Sequence, residues 1–324
     1  MKKWLKRIVI GLAVVILIVC AMTYVRFTHW RNEVTKNLAS DSTVVQTAKG
    51  LIEYAEIGHG PPVLITHGNP GGYDQVYQLL KLQHAENGDF RYIVPSRPGY
   101  LRTPLSVGKT PKEQAEAFAA LLDALKIEKV AVIGGSGGGP SAIEFAALYP
   151  ERCVALVLQA AITAKIVAPK PGFAEAAIKN TVGYDFSFWL LKNQFVAGLQ
   201  AKDPSDPEIT AIATAILNSA VPYSKRKDGW DNDTEQWTKL AELPLASIRC
   251  PTLIVQGAAD QNVPPAQAEL AHSQIAGSKL VILPGEDHWM LITKHKELDS
   301  LSHAFLVEHS SADAASQVQQ AGQQ

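Results

Sequence analysis

The sequence predicts an α/β fold: a mostly parallel central sheet flanked by helices on both faces, carrying an inserted helical cap and preceded by an N-terminal transmembrane helix. Three observations predict it. Short apolar runs alternate with helical patterns from residue 43 onward, which is the rhythm of a parallel sheet covered on both sides. That rhythm stops between about Thr163 and Ser247 and then resumes. The stretch from Ile8 to Val25 holds no charged residue, with Lys2, Lys3, Lys6 and Arg7 before it and Arg26 after it.

The uncharged stretch is long enough to cross a hydrocarbon core as a helix. Its positive flank is N-terminal, which keeps the start in the cytoplasm and sends the rest of the chain outward, so a single-pass membrane protein with an extracytoplasmic domain is expected. The competing reading is a signal peptide and a secreted product. Ile18 and Val19 stand where a cleavage site wants small residues, and Val19 is bulky for a lipoprotein-type cleavage before Cys20. A polar linker follows, and VVQTAKGLIEYAEIG then alternates as a hairpin with its turn near Lys49 and Gly50. PPVLITHG and FRYIVPS supply two apolar runs of the kind buried strands make.

Thr110, Pro111 and Glu113 form a helix start, with a threonine cap, a proline in the first turn and a glutamate three after the cap. Apolar residues then recur at helical spacing through Leu125. KVAVIGG is the next strand, followed past the glycines by a helical pattern over 142–149. VALVLQA, PTLIVQG and KLVILPG are the remaining strands. The insertion carries Phe173, Phe186, Phe188, Trp189, Trp230 and Trp237, with breakers at Pro204, Pro207 and Pro222, and reads as a lid over the sheet. These readings divide the chain into an anchor (1–27), a linker (28–42), a first core segment (43–163), a cap (164–246), a second core segment (247–309) and a disordered Ser-, Ala- and Gln-rich tail (310–324).

With 30 Lys and Arg against 31 Asp and Glu and no basic run, no nucleic-acid partner is expected. Three scattered cysteines, Cys20, Cys153 and Cys250, make neither a disulfide scaffold nor a zinc site.

Chemistry is expected where the glycines crowd around Ser136. Gly134-Gly135-Ser136-Gly137-Gly138 fits G-x-S-x-G, in which a serine sits on a sharp turn between strand and helix. A phosphate loop would want Lys and then Ser or Thr after the glycines, and Pro140 and Ser141 stand there. A dinucleotide turn would want an acidic residue at the end of the next strand, and VALVLQA has none. An elbow serine needs a base and an orienting acid, in chain order Ser, Asp or Glu, His. Asp260 follows the strand PTLIVQG and His288 follows KLVILPG. Both stand just past strand ends, where sites in parallel sheets lie. The glycine-rich turn His67-Gly68-Asn69-Pro70-Gly71-Gly72 offers the backbone N–H of Asn69 to an oxyanion, and Gly137 offers the second. His67 reads as structural.

From Thr43 to Glu308 the chain resembles an α/β-hydrolase-fold enzyme with a helical cap, on the strength of HGNPGG, SRPGYLRTP, GGSGGG, GAADQNVPP and GEDHW. The resemblance implies a serine hydrolase acting on an ester, amide, thioester or certain C–C bonds. Haloalkane dehalogenases and epoxide hydrolases carry aspartate where Ser136 stands. Proline iminopeptidases are similar at HGNPGG but have tryptophan at the position of Gly137. SRPGYLRTP departs from the family's D-x-R-G-x-G-x-S, with Ser96 for the acid and Leu101 for the second glycine. The implied mechanism is two-step acyl transfer with Ser136 as nucleophile, His288 as base and Asp260 as its orienting acid, and it calls for no metal or organic cofactor.

The expected substrate is a small molecule, a small apolar carboxylic ester, cleaved by a membrane-anchored enzyme. The alternatives are an aminopeptidase or amidase of the iminopeptidase kind, with Glu175, Glu208 or Glu235 holding a free amine, and a C–C bond hydrolase. Cys153 and Cys250 precede strands expected to be neighbours, so their thiols should lie close, as buried free cysteines or as a disulfide. Asn232-Asp233-Thr234 fits a glycosylation sequon.

Overall fold

A computed structural model describes residues 3–166 and 184–321, with side chains as far as His309. Phe173 and Glu175 lie outside the described residues. The chain opens with helix α1 (Lys3–Thr35), which runs through the apolar stretch and on into the expected linker. None of the residues of its most apolar window is buried.

Strands β1 (Thr43–Thr47) and β2 (Gly50–Gly58) form the expected hairpin, and Gly50 takes the positive φ that its turn requires. β3 (Pro62–Thr66), β4 (Arg91–Pro95), β5 (Val130–Gly135), β6 (Cys153–Gln159), β7 (Thr252–Gly257) and β8 (Lys279–Leu283) complete an eight-stranded sheet in the order β1-β2-β4-β3-β5-β6-β7-β8. β2 pairs antiparallel with β1 and β4, and every pairing from β4 to β8 is parallel. The inner strands are mostly apolar because both faces are covered. Helices α3 (Pro111–Ala124), α4 (Gly139–Leu148) and α8 (Pro265–Gln274) bury one face, through residues such as Phe118, Phe145 and Ala271. α2 (Tyr73–Leu82) and α10 (His295–Ala321) bury the other, through Leu80 and Leu306 among others.

The capping box forms as expected: the Glu113 N–H donates to Thr110 Oγ1 at 3.2 Å, and the Thr110 N–H donates to the Glu113 carboxylate at 2.9 Å. α10 carries through Ala321, into the stretch read as disordered from Ser310. Ala and Gln are good helix formers and extend it. Cys153 and Cys250 are buried free thiols with their sulfurs 3.6 Å apart.

Between β6 and β7 the described insertion is helical: α5 (Tyr184–Gln200), α6 (Glu208–Asn218) and α7 (Lys227–Thr238). A four-residue helix, α9 (Met290–Thr293), follows β8. Two buried ion pairs fasten the insertion to the sheet. Arg97, after β4, donates to Asp233 of α7 at 2.8 Å, and Tyr100 donates to the same carboxylate at 2.7 Å. In the opposite sense, Arg226 donates to Asp74 of α2 at 2.9 and 2.7 Å and to the Gly71 carbonyl at 2.7 Å. Asn232 is buried, its amide donating to the Lys109 carbonyl, so the sequon is closed to modification in the folded chain.

Two departures from the family pattern are absorbed locally. Leu101, at the place of the second glycine, has φ 52°, the left-handed conformation that glycine adopts without strain. Ser96, at the place of the acid, donates to buried Glu53 of β2 at 2.9 Å, and the same carboxylate pairs with Arg102 at 2.7 Å. Glu53 thus brings in from the neighbouring strand the charge that position 96 lacks.

Candidate active site

The carboxyl ends of β3, β5, β7 and β8 converge on one point. β5 ends at Gly135, and Ser136 sits at φ 47° before α4 begins. A positive φ is uncommon for a residue with a side chain, and this one aims Oγ away from the sheet. The glycines around it answer to close contacts. A Cβ at Gly138 would lie 2.2 Å from the Thr66 carbonyl oxygen, and one at Gly134 would lie 2.7 Å from Ala142. Only glycine lets β3, β5 and α4 meet so closely.

Ser136 Oγ lies 3.0 Å from His288 Nε2, and His288 Nδ1 lies 2.8 Å from Asp260 Oδ2. The structure therefore brings together all three residues that the sequence singled out. Asp260 is buried and fully engaged: Oδ1 accepts from the N–H groups of Asn262 and Val263 at 2.8 and 2.9 Å, and Oδ2 also accepts from Gln256 Nε2 at 2.9 Å. Burial alone would raise its pKa, but the hydrogen bonds from His288, Val263 and Gln256 outweigh burial and hold the carboxyl below its usual range. An ionised Asp260 fixes the His288 tautomer with its proton on Nδ1, leaving Nε2 free to accept from Ser136. Gln256 was not singled out from the sequence; the signal was a polar residue inside an apolar strand.

Asn69 and Gly137 stand side by side, with Asn69 Cβ 3.4 Å from where a Gly137 Cβ would be. Among the described residues neither N–H donates to a protein acceptor. The Asn69 side chain donates to Asp233 at 3.2 Å, which joins this turn to the Arg97 network. His67 is buried beneath it. Its Nε2 accepts from the Arg97 N–H at 2.9 Å, and its Nδ1 is 2.7 Å from the Gly68 carbonyl. Burial, reinforced by the Arg97 charge, pushes its pKa well below the ordinary value, so His67 is a neutral strut.

The roof comes from the insertion. Trp237 of α7 lies where a side chain at position 137 would project, 2.4 Å from a Cβ placed there. The cavity below encloses about 790 Å³ and is walled mainly by apolar groups, among them Phe188, Phe195, Ile216 and Trp237 of the insertion. Glu208 and Glu235 do not reach it: Glu235 pairs with Lys239 on the surface, and Glu208 sits beside Lys296. Asp206, Glu208 and His295 gather at the base of α6, where His295 Nε2 lies 3.0 Å from Asp206 and the Lys296 ammonium, also 3.0 Å away, supplies the positive charge.

A strained serine, a histidine fixed by a buried carboxylate, two paired N–H donors and an apolar cavity are the parts that acyl transfer by a serine hydrolase uses. The family model described as the alpha/beta hydrolase fold matches residues 61–295, and the chain belongs to that family. It is a hydrolase by membership.

Among its relatives, an uncharacterized hydrolase of Bacillus subtilis (strain 168), YcgS, is 29% identical over 282 residues, 79% of this chain and 95% of that one. A 2-hydroxy-6-oxo-6-phenylhexa-2,4-dienoate hydrolase of Burkholderia cepacia is 26% identical over 268 residues, covering 74% and 87%. Among solved structures, an alpha/beta hydrolase fold protein from Nakamurella multipartita superposes with a TM-score of 0.69 at 35% identity, covering 78% of this chain and 93% of that one.

Proposed function

We propose that the chain is a membrane-anchored serine hydrolase that cleaves a carboxylic ester with an apolar acyl group. The observation that carries this reading is the Ser136–His288–Asp260 relay at the floor of an apolar cavity. His288 Nε2 takes the proton of Ser136 as Oγ attacks the carbonyl. The N–H groups of Asn69 and Gly137 receive the oxyanion. His288 returns the proton to the departing alcohol, and water then frees the acyl-enzyme by the same steps. Asp260, held ionised, stabilises the imidazolium that forms twice per cycle.

The exposed apolar window of α1 supports a membrane anchor, since in water eighteen such residues would have no partner. The Lys- and Arg-bearing N-terminus favours placing the catalytic part on the outer side. Past the apolar stretch α1 meets the insertion: Arg31 pairs with Asp185 at 2.6 Å, and Phe27 packs edge-on to Phe186 and Trp189. The aromatic residues gathered there suit a membrane–water boundary.

A second reading draws on the dienoate hydrolases among the relatives. A compound so named has a ketone and a carboxylate but no ester or amide, so its hydrolysis cuts a carbon–carbon bond. Its carboxylate would need a cation, and Lys165 is the one lysine or arginine among the described residues that line the cavity. Of the three acids offered for the iminopeptidase reading, Glu208 and Glu235 do not border the cavity, and Glu175 lies outside the described residues.

The test compares turnover of p-nitrophenyl esters, of 2-hydroxy-6-oxo-6-phenylhexa-2,4-dienoate and of aminoacyl amides by the full chain in detergent. Ester turnover well above the other two is expected. Turnover of the dienoate alone, lost in Lys165→Ala, would replace the ester reading with the second.

A further inference from the structure

The cavity continues past Ser136 along one face of the sheet, in the gap between α2 and α10. Both helices start at the carboxyl edge of the strands and run back toward the amino edge. α2 turns Val76 and Leu79 into the gap at helical spacing, with Gln83 just past its end, and α10 turns Leu298 and Leu306 into it from the other side. Tyr92, near the start of β4, marks the far end.

Two independent rulers give the same depth. Tyr92 pairs with Val63, Thr66 pairs with Gly134, and Ser136 stands two residues further, so the cavity spans five strand steps, roughly 16 Å. Along α10, from His295 to Leu306, eleven helical steps also make roughly 16 Å.

Protein interiors are packed closely and seldom leave such a gap unfilled. Water would need polar partners along it. The walls are apolar over most of the length, and the polar pair within it, Gln159 and Ser302, is already satisfied by a mutual bond at 2.9 Å. The far end differs in character. Gln83, Asp299 and His303 rim it, with Asp299 exposed and half-buried His303 3.0 Å from Asp89.

We propose that this channel holds the acyl chain of the substrate in extended form, so that the preferred esters are those of unbranched fatty acids about twelve carbons long, at about 1.25 Å per carbon along a zigzag of ordinary C–C bonds. The inference rests on the ester-hydrolase reading and replaces the small ester expected from the sequence. The alcohol must face His288 Nε2, which protonates it on leaving, beneath the roof. The acyl group takes the other direction, between α2 and α10, and its methyl end reaches the polar rim.

The experiment is a chain-length ladder of p-nitrophenyl esters, butyrate to hexadecanoate, with the full chain in detergent and with Leu79→Trp and Gln83→Trp. At up to roughly fourfold per buried methylene, kcat/KM rises from butyrate to about dodecanoate by tenfold or more and then levels. Leu79→Trp removes that gain, and Gln83→Trp lowers turnover of only the longest chains. A wild-type profile that falls beyond butyrate overturns the proposal.

A second measurement does not depend on catalysis. Dodecanoic acid with a terminal diazirine is photolysed with the full chain, and the adducts are mapped by mass spectrometry. Adducts on 79–83 or 298–306 that vanish in Leu79→Trp support the channel, even if no ester is turned over and the reaction reading fails. Adducts confined to α1 or the insertion, beside intact butyrate turnover, overturn the channel and leave the reaction standing.

Discussion

The catalytic edge and the roof above it are held by different means. Ser136, Asp260 and His288 each sit within a few residues of a strand end, so the backbone of one sheet sets their positions. Their fixing contacts are short: Asp260 is oriented by Gln256, Asn262 and Val263, all within four residues. The roof is tied down by side chains far apart in the chain, Arg97 to Asp233 and Arg226 to Asp74, each pair buried and doubly bonded. The candidate triad thus resides in the part that resists displacement, and the cover above it is hung from charges that tolerate little change.

Breaking the rigid side should have the largest effect. Asp260→Asn removes the charge that sets the His288 tautomer, and kcat should fall about 10⁴-fold with the fold intact. Steady-state kinetics alongside circular dichroism check both halves of that statement.

On the roof side, Arg97→Met leaves Asp233 buried without its counter-charge, held by the neutral donors Tyr100 and Asn69 alone. Stability should drop by about 3–5 kcal/mol, and the double variant Arg97→Met with Asp233→Leu should regain much of it. Urea unfolding of the single and double variants tests this. An unchanged midpoint in the single variant would mean that the insertion does not depend on the pair.

The two regions meet at Gly137 and Trp237. Gly137→Ala drives a methyl group into the indole beside an oxyanion donor, so kcat should fall by about a hundredfold. Trp237→Ala in the same chain should restore most of the rate. Failure of that rescue would place the damage in the elbow rather than in its contact with the roof.

The smallest effect expected is one of pH. Buried His67 stays neutral, whereas in the unfolded chain it takes up a proton below about pH 6.5. The unfolded state then binds more protons than the folded one, so stability falls toward acid, by at most about 1.4 kcal/mol per pH unit from this group. Urea midpoints at pH 7.5 and 5.5 should show the loss, and His67→Gln should reduce its slope.

The same contrast decides what the sequence disclosed. Ser136, Asp260 and His288 were legible because each stands beside its own strand, and strand-end position is a local pattern. The strands and the capped helix α3 were legible for the same reason. The Arg97–Asp233 pair was not, since 136 residues separate its members and nothing local in DNDTE marks Asp233 as buried. Glu53, which stands in for the acid missing at Ser96, is 43 residues from it. Trp237 read as one more aromatic in the insertion, yet it fills the space that glycine leaves at 137. The channel between α2 and α10 had no signature, because an empty space is a relation between faces and no single segment encodes it.

The most direct test of the central claim is a comparison of wild type with Ser136→Ala, read by p-nitrophenyl ester hydrolysis and by intact mass after rapid acid quench. Wild type should turn over and carry an acyl adduct on the peptide containing Ser136. The variant should carry none and lose activity by about 10⁴-fold or more. Equal activity in the two proteins, or an adduct that persists in Ser136→Ala, would contradict the assignment of the nucleophile.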